Sequence, residues 1–196
     1  GSVLSNIRIG KLDEALYTPR LWQDSTDLLL GCDLVVTAGP MALSTLRVGS
    51  GHVVVNSDLV PTAQFQTNMK IDFGQAQMVA MLRKHAGETF VHAVDGTDLT
   101  LKLMGDSIGT NIFMLGYAVQ KGLVPIALDA VMEAIRLNGV AVQANLTTFN
   151  WGRMAAHDHD LVAQRAASAR GDVEPEKIAQ TLDEVIAKRE KLLTLW

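Results

Sequence analysis

His52-Val53-Val54-Val55-Asn56 is the most β-branched run in the chain. Branched side chains suit a pleated surface buried on both sides, so the run reads as a strand. Before it, Gly49-Ser50-Gly51 makes a turn, and Gly39-Pro40 opens a helix through Leu46, since proline suits the first helical position. Further upstream, Leu34-Val35-Val36-Thr37 reads as a buried strand. Ser25-Thr26 reads as the cap of a short helix through Leu30, with Gly31 as its stop. Residues 3–9 alternate apolar and polar side chains and read as a half-buried strand ending at Gly10. After residue 56 comes a helix over 75–85 and a last clear strand over 89–94. Strands separated by helices imply an α/β domain with a largely parallel sheet.

From Asp95 onward every segment reads as helical. Residues 111–120 are apolar nearly all round, so this helix should be covered on more than one side. A second helix spans 128–137 and stops at Asn138-Gly139. Val142, Leu146 and Phe149 mark one stripe of a third, running to about Ala156. Trp151 lies about 200° around that helix from Phe149 and needs a second surface, either within the domain or on a partner. Arg170-Gly171-Asp172 reads as a linker into a final helix whose stripe is Ile178, Leu182, Val185 and Leu192. The domain is therefore expected over 1–171, with a helix over 172–196 leading onward.

The chain has 196 residues, a net charge of −4, 48% hydrophobic and 19% charged residues. That is a globular balance for one domain, large enough to fold without disulfide or metal support. Without a Lys/Arg run, it lacks the basic footprint that nucleic acid demands. No apolar run reaches the ~18 residues of a membrane span, and no signal peptide is read at the start. Its one cysteine, Cys32, excludes an internal disulfide and any four-cysteine cluster, and fits a cytoplasmic setting.

Local motifs point to little chemistry. Gly105-Asp106-Ser107 followed by Asn138 loosely follows the pattern that holds magnesium and thiamine diphosphate. The third position is Ser, the pattern's second Asn is missing, and two apolar helices fill the interval. A helix stop at Gly105, with Asp106-Ser107 capping the next helix, is the preferred reading. His157-Asp158-His159-Asp160 has ligand-type side chains, but on one helix the two histidines point about 200° apart. Cys32 has no histidine near it in sequence and reads as a buried thiol. Neither Gly-x-Gly-x-x-Gly nor a P-loop is present.

Longer stretches are more specific. The segment 109–125 (GTNIFMLGYAVQKGLVP) resembles the γ-type domain of the 2-oxoacid:ferredoxin oxidoreductases, closest to the fused indolepyruvate ferredoxin oxidoreductases. So do 137–146 (LNGVAVQANL), 149–153 (FNWGR), 2–9 (SVLSNIRI) and 27–36 (DLLLGCDLVV), while 182–189 (LDEVIAKR) resembles the segment that follows this domain. The resemblance implies a three-layer α/β/α sandwich and a share in oxidative decarboxylation of an aryl- or indolepyruvate to an acyl-coenzyme A, with electrons passed to ferredoxin. It places thiamine diphosphate, magnesium and iron–sulfur clusters in other domains, leaving this chain with no cofactor of its own and no catalytic residue. It also implies a strand and a Gly-rich turn upstream of Val3, so the chain reads as a piece of a longer polypeptide, inactive alone. Asn111, Asn145 and Trp151 become candidates for facing a partner domain or the coenzyme A path. A buried amide satisfied by backbone remains the alternative for each asparagine. A freestanding α/β binding or scaffold module without redox chemistry is the other functional expectation.

Overall fold

The computed structural model describes residues 3–11, 18, 20–58 and 74–169. Its centre is a parallel sheet of three strands in the order β1 (Leu28–Gly31), β2 (His52–Asn56) and β3 (Val91–Val94). Between β1 and β2 lie α1 (Leu34–Thr37) and α2 (Pro40–Leu43), and between β2 and β3 lies α3 (Gln75–Ala86). After β3 the described chain is helical: α4 (Gly96–Met104), α5 (Thr110–Gln120), α6 (Leu128–Asn138), α7 (Val142–His157) and α8 (His159–Ala169).

The β2 valines define the layers. Val53 and Val55 face Leu34 of α1 and Ala38 just after it, Leu82 and Ala86 of α3, and Leu46. Val54 faces the opposite way, toward Leu99, Phe113, Met114, Ala118, Ala155 and Val162 of the C-terminal helices. All three valines are fully buried, as expected of a central parallel strand covered on both faces. The fold is thus an α/β/α sandwich with a helical C-terminal part, as expected. Strands laid down in sequential order with crossovers of one hand put α1 and α3 on the same face. The other face is left to α4, α5, α7 and α8.

On the sheet's C-terminal side, α5 holds the helices together. Met114, Tyr117 and Ala118 belong to the cluster against the sheet, while Ile112, Leu115 and Val119 pack with Phe149 of α7 and with Val131 and Ile135 of α6. The all-round apolar pattern is therefore used on two sides. Helix α7 crosses α5 at glycines: a Cβ on Gly116 would lie 2.1 Å from the Phe149 carbonyl oxygen, and one on Gly152 would lie 1.9 Å from that of Phe113. Each helix offers a glycine to the other's backbone, which brings the two closer than side-chain packing permits.

Three sequence expectations are overturned near the N-terminus. Residues 25–30 were expected to be helical and 34–37 extended; instead Leu28–Gly31 is the strand and Leu34–Thr37 the helix. Asp33 decides this, because its Oδ1 accepts the Val36 N–H at 2.9 Å and caps α1, overriding the β preference of two valines. Gly31 is no helix stop but a strand end onto which α1 folds, so that a Cβ there would sit 2.0 Å from Thr37 Oγ1. Residues 3–9 form no strand. All but Arg8 lie exposed, Val3 at 81% and Ile7 at 76%; no described strand pairs with them, and alternation without a ladder partner does not make a sheet. The expected linker at 170–172 and helix over 172–196 fall outside the described residues. Among the described residues, no helix is long and apolar enough to cross a membrane.

Replacing Gly116 or Gly152 with alanine should destabilise the protein by about 1–3 kcal/mol or more, since backbone rather than a movable side chain opposes the new methyl. Urea titration of each variant measures it. Wild-type midpoints would mean that the helices separate at no cost.

Candidate functional site

In open parallel α/β sheets, ligands usually bind beyond the carboxyl ends of the strands. Here that edge is built around Asn56, the polar residue that ends β2 and is 1% exposed. Its Nδ2 donates to the Cys32 carbonyl at 3.2 Å and to Thr97 Oγ1 at 2.9 Å. Its Oδ1 accepts from the backbone N–H groups of Thr97 (3.2 Å) and Asp58 (3.4 Å). Both donor protons and both lone pairs of the amide are engaged. The side chain thereby joins the ends of β1 and β2 to the start of α4.

Asp58 completes the edge, its Oδ2 accepting the Asp98 N–H at 2.8 Å. Asn56 and Asp58 together cap the first turn of α4 from a neighbouring strand, at the position where a helix N-terminus would otherwise receive an anion. Burial pushes the Asp58 carboxyl above its ordinary value; hydrogen bonding from Asp98 opposes this, the Asp95 and Asp98 carboxylates add to it, and a bond from Thr97 again opposes it. Asp95 makes no cap on its own helix. Its Oδ1 lies 2.8 Å from His159 Nε2, tying the start of α8 to the end of β3. Asp98 forms an ion pair with Lys102. Cys32 is half-buried, and burial raises its thiol pKa. Among the described residues no hydrogen bond joins its Sγ to a base, and no three His, Cys, Asp or Glu side chains are grouped to hold a metal. The edge is a braced polar lattice in which Asn56, Asp58, Asp95 and His159 tie the strand ends to α4 and α8.

The sequence candidates lie elsewhere. Asn111 is exposed on the first turn of α5. Asn145 donates from Nδ2 to the Val140 carbonyl at 2.9 Å, closing the turn that leads into α7. Trp151 is half-buried against the Phe113–Tyr117 cluster of this same domain, so its off-stripe face meets internal surface. No hydrogen bond links the three. Gly105 ends α4 at φ 85°, and Asp106 Oδ1 accepts the Ile108 N–H at 3.0 Å, so this carboxylate closes a local turn. The single-helix geometry expected for His157 and His159 is corrected: Asp158 is extended and its Oδ1 caps α8 through Leu161 N at 2.9 Å, so the two histidines belong to different helices. The Asn56–Asp58–Asp95–His159 edge escaped sequence reading. Its one local signal is a polar residue closing a buried valine run.

At the amino ends of the strands a second group gathers on the C-terminal-helix face. The His92 ring lies 6.1 Å from that of Tyr117, Lys121 Nζ lies 5.5 Å from the Tyr117 ring, and His52 meets Phe90 edge-on at 5.0 Å. Burial, then Lys121, then His52 lower the His92 pKa.

Compared with protein-family models, with curated proteins and with solved structures, the chain finds no match in any of the three.

Replacing Asn56 with leucine keeps the branch at Cγ, adds bulk at a buried position, and leaves the Thr97 and Asp58 N–H groups and the Cys32 carbonyl without their partner. We expect a loss of about 3 kcal/mol, read from denaturant unfolding. His92 gives a pH dependence. Its folded pKa lies below the ordinary 6.5, so on acidification the unfolded chain takes up the proton first. The stability present above pH 6.5 therefore declines as pH falls below it, toward the lowered folded value. Unfolding midpoints at pH 7.5 and 5.5 should differ less in His92→Gln than in the wild type; equal differences would refute the assignment.

Proposed function

We propose that this chain is the γ-type domain of a 2-oxoacid:ferredoxin oxidoreductase of the indolepyruvate class. In this reading it is one piece of an assembly that converts an arylpyruvate to an acyl-coenzyme A and passes electrons to ferredoxin. The carrying observation is the α5–α7 crossing. The two segments on which the resemblance chiefly rests, 109–125 and 137–153, interlock through Gly116 against Phe149 and Gly152 against Phe113, so they make up one packing unit. A resemblance confined to one local helix would carry less. The three-layer architecture also supports the reading.

Thiamine diphosphate supplies the electron sink for decarboxylation, and iron–sulfur clusters carry the electrons onward. The resemblance puts these groups in other domains of the assembly, and the one cysteine of this chain is in keeping with that. The role left to this chain is architectural. The sheet and α5–α7 form a rigid platform, and the Asn56 lattice braces the edge that faces outward from the strands. Coenzyme A, ferredoxin and the remaining oxidoreductase domains are its proposed partners, with the cytoplasm as the setting.

The intact polypeptide should show indolepyruvate- and coenzyme A-dependent reduction of a ferredoxin-type acceptor, while this chain alone should show none. Replacing Gly116 with leucine in the intact polypeptide should lower the yield of assembled enzyme. A reading frame without thiamine- or cluster-binding sequence beside this segment would overturn the proposal in favour of a freestanding α/β module. So would stoichiometric binding of thiamine diphosphate to this chain alone.

A further inference from the structure

Arg153 stands one residue beyond Gly152, in the turn of α7 that presses on α5; a Cβ on Gly116 would come within 3.3 Å of the Arg153 backbone nitrogen. Its base is therefore anchored at the closest backbone approach between the two helices. The guanidinium is held as well. Nε donates to Gln120 Oε1 at 3.1 Å and Nη1 to Asn150 Oδ1 at 3.1 Å. Both acceptors are neutral. Arg47, Arg83, Lys102 and Arg136 each face a carboxylate, whereas among the described residues no carboxylate pairs with Arg153. The side chain is half-buried, oriented from two sides, and among the described residues nothing accepts from either Nη2 proton. A second cation, Lys121, directly follows Gln120 at the C-cap of α5, its Nζ 5.5 Å from the Tyr117 ring, and no ion pair joins it to a carboxylate among the described residues.

We infer that Arg153, braced by Gln120 and Asn150, is a contact for an oxyanion, a phosphate or a carboxylate, on the exposed side of the α5–α7 crossing. A tie between helices needs only the two amide hydrogen bonds that are already made. Two of the five guanidinium protons are used; one on Nη1 and two on Nη2 remain to donate to the oxygens of one anion, from a planar group that lysine cannot reproduce. Two neutral braces fix the rotamer without neutralising the charge, so binding an anion there loses little side-chain freedom. The inference is independent of the oxidoreductase reading, because it concerns this chain alone.

The test follows the Arg153 Nε–H resonance of the full chain by NMR. Inorganic phosphate and acetate are titrated separately against potassium chloride at matched ionic strength. A saturable shift with phosphate or acetate, absent with chloride, is expected, and the anion that saturates at lower concentration names the source. Because Arg153→Lys removes the reporter, its affinity is read from the backbone amides of residues 150–154. It should fall about tenfold, equivalent to about 1.4 kcal/mol. Gln120→Ala keeps the charge and the reporter but loosens the brace, and it should weaken binding in the same direction. A shift that tracks ionic strength alone, or equal affinity in Arg153→Lys, would overturn the inference and leave Arg153 as a tie between helices.

Discussion

The contact between α5 and α7 is a constraint on backbones more than on side chains. Packed helices normally stand 8–10 Å apart because side chains interdigitate between them. Here a missing Cβ on each side lets the Phe149 carbonyl approach Gly116 and the Phe113 carbonyl approach Gly152. That proximity fixes where both helices can lie. It directs Met114, Tyr117 and Ala118 onto the sheet, and it leaves Ile112, Leu115 and Val119 to meet Phe149 and α6. Trp151, one residue before Gly152, is turned into the cluster against the sheet, and Arg153, one residue after, is set at the crossing beside Gln120. A slightly wider separation would open voids in two clusters at once, and close-packed interiors tolerate voids poorly.

The sheet beneath this crossing has two unlike edges. At the carboxyl ends, Asn56 and Asp58 satisfy the first turn of α4, and Asp95 reaches His159 at the start of α8. Each of these bonds joins segments far apart in the chain, so the polar groups of this edge hold one another. At the amino ends, His52, His92, Tyr117 and Lys121 meet through rings and an ammonium, and burial beside positive neighbours keeps His92 from taking a proton easily. The first edge is sensitive to the loss of a hydrogen-bonding group, the second to acid.

The sequence by itself determined the features that rest on local periodicity and local caps. His52–Asn56, the helix that begins at Gln75, and the helices around 111–120, 128–137 and 142–156 could be read because a branched run or a stripe of apolar residues leaves few alternatives. The α/β class followed from their alternation. Tertiary structure decided the rest. Leu28–Gly31 and Leu34–Thr37 exchanged their expected states, because the Asp33 cap and the fit of Thr37 over Gly31 outweighed the preference of two valines for strand. Residues 3–9 carry a strand pattern and make no strand, since a ladder needs a partner that no pattern supplies. Asn56, Asp58, Asp95 and His159 lie up to a hundred residues apart on three connections, and only the sheet brings them to one edge. Their chemistry is long-range hydrogen bonding, which leaves no period in a sequence.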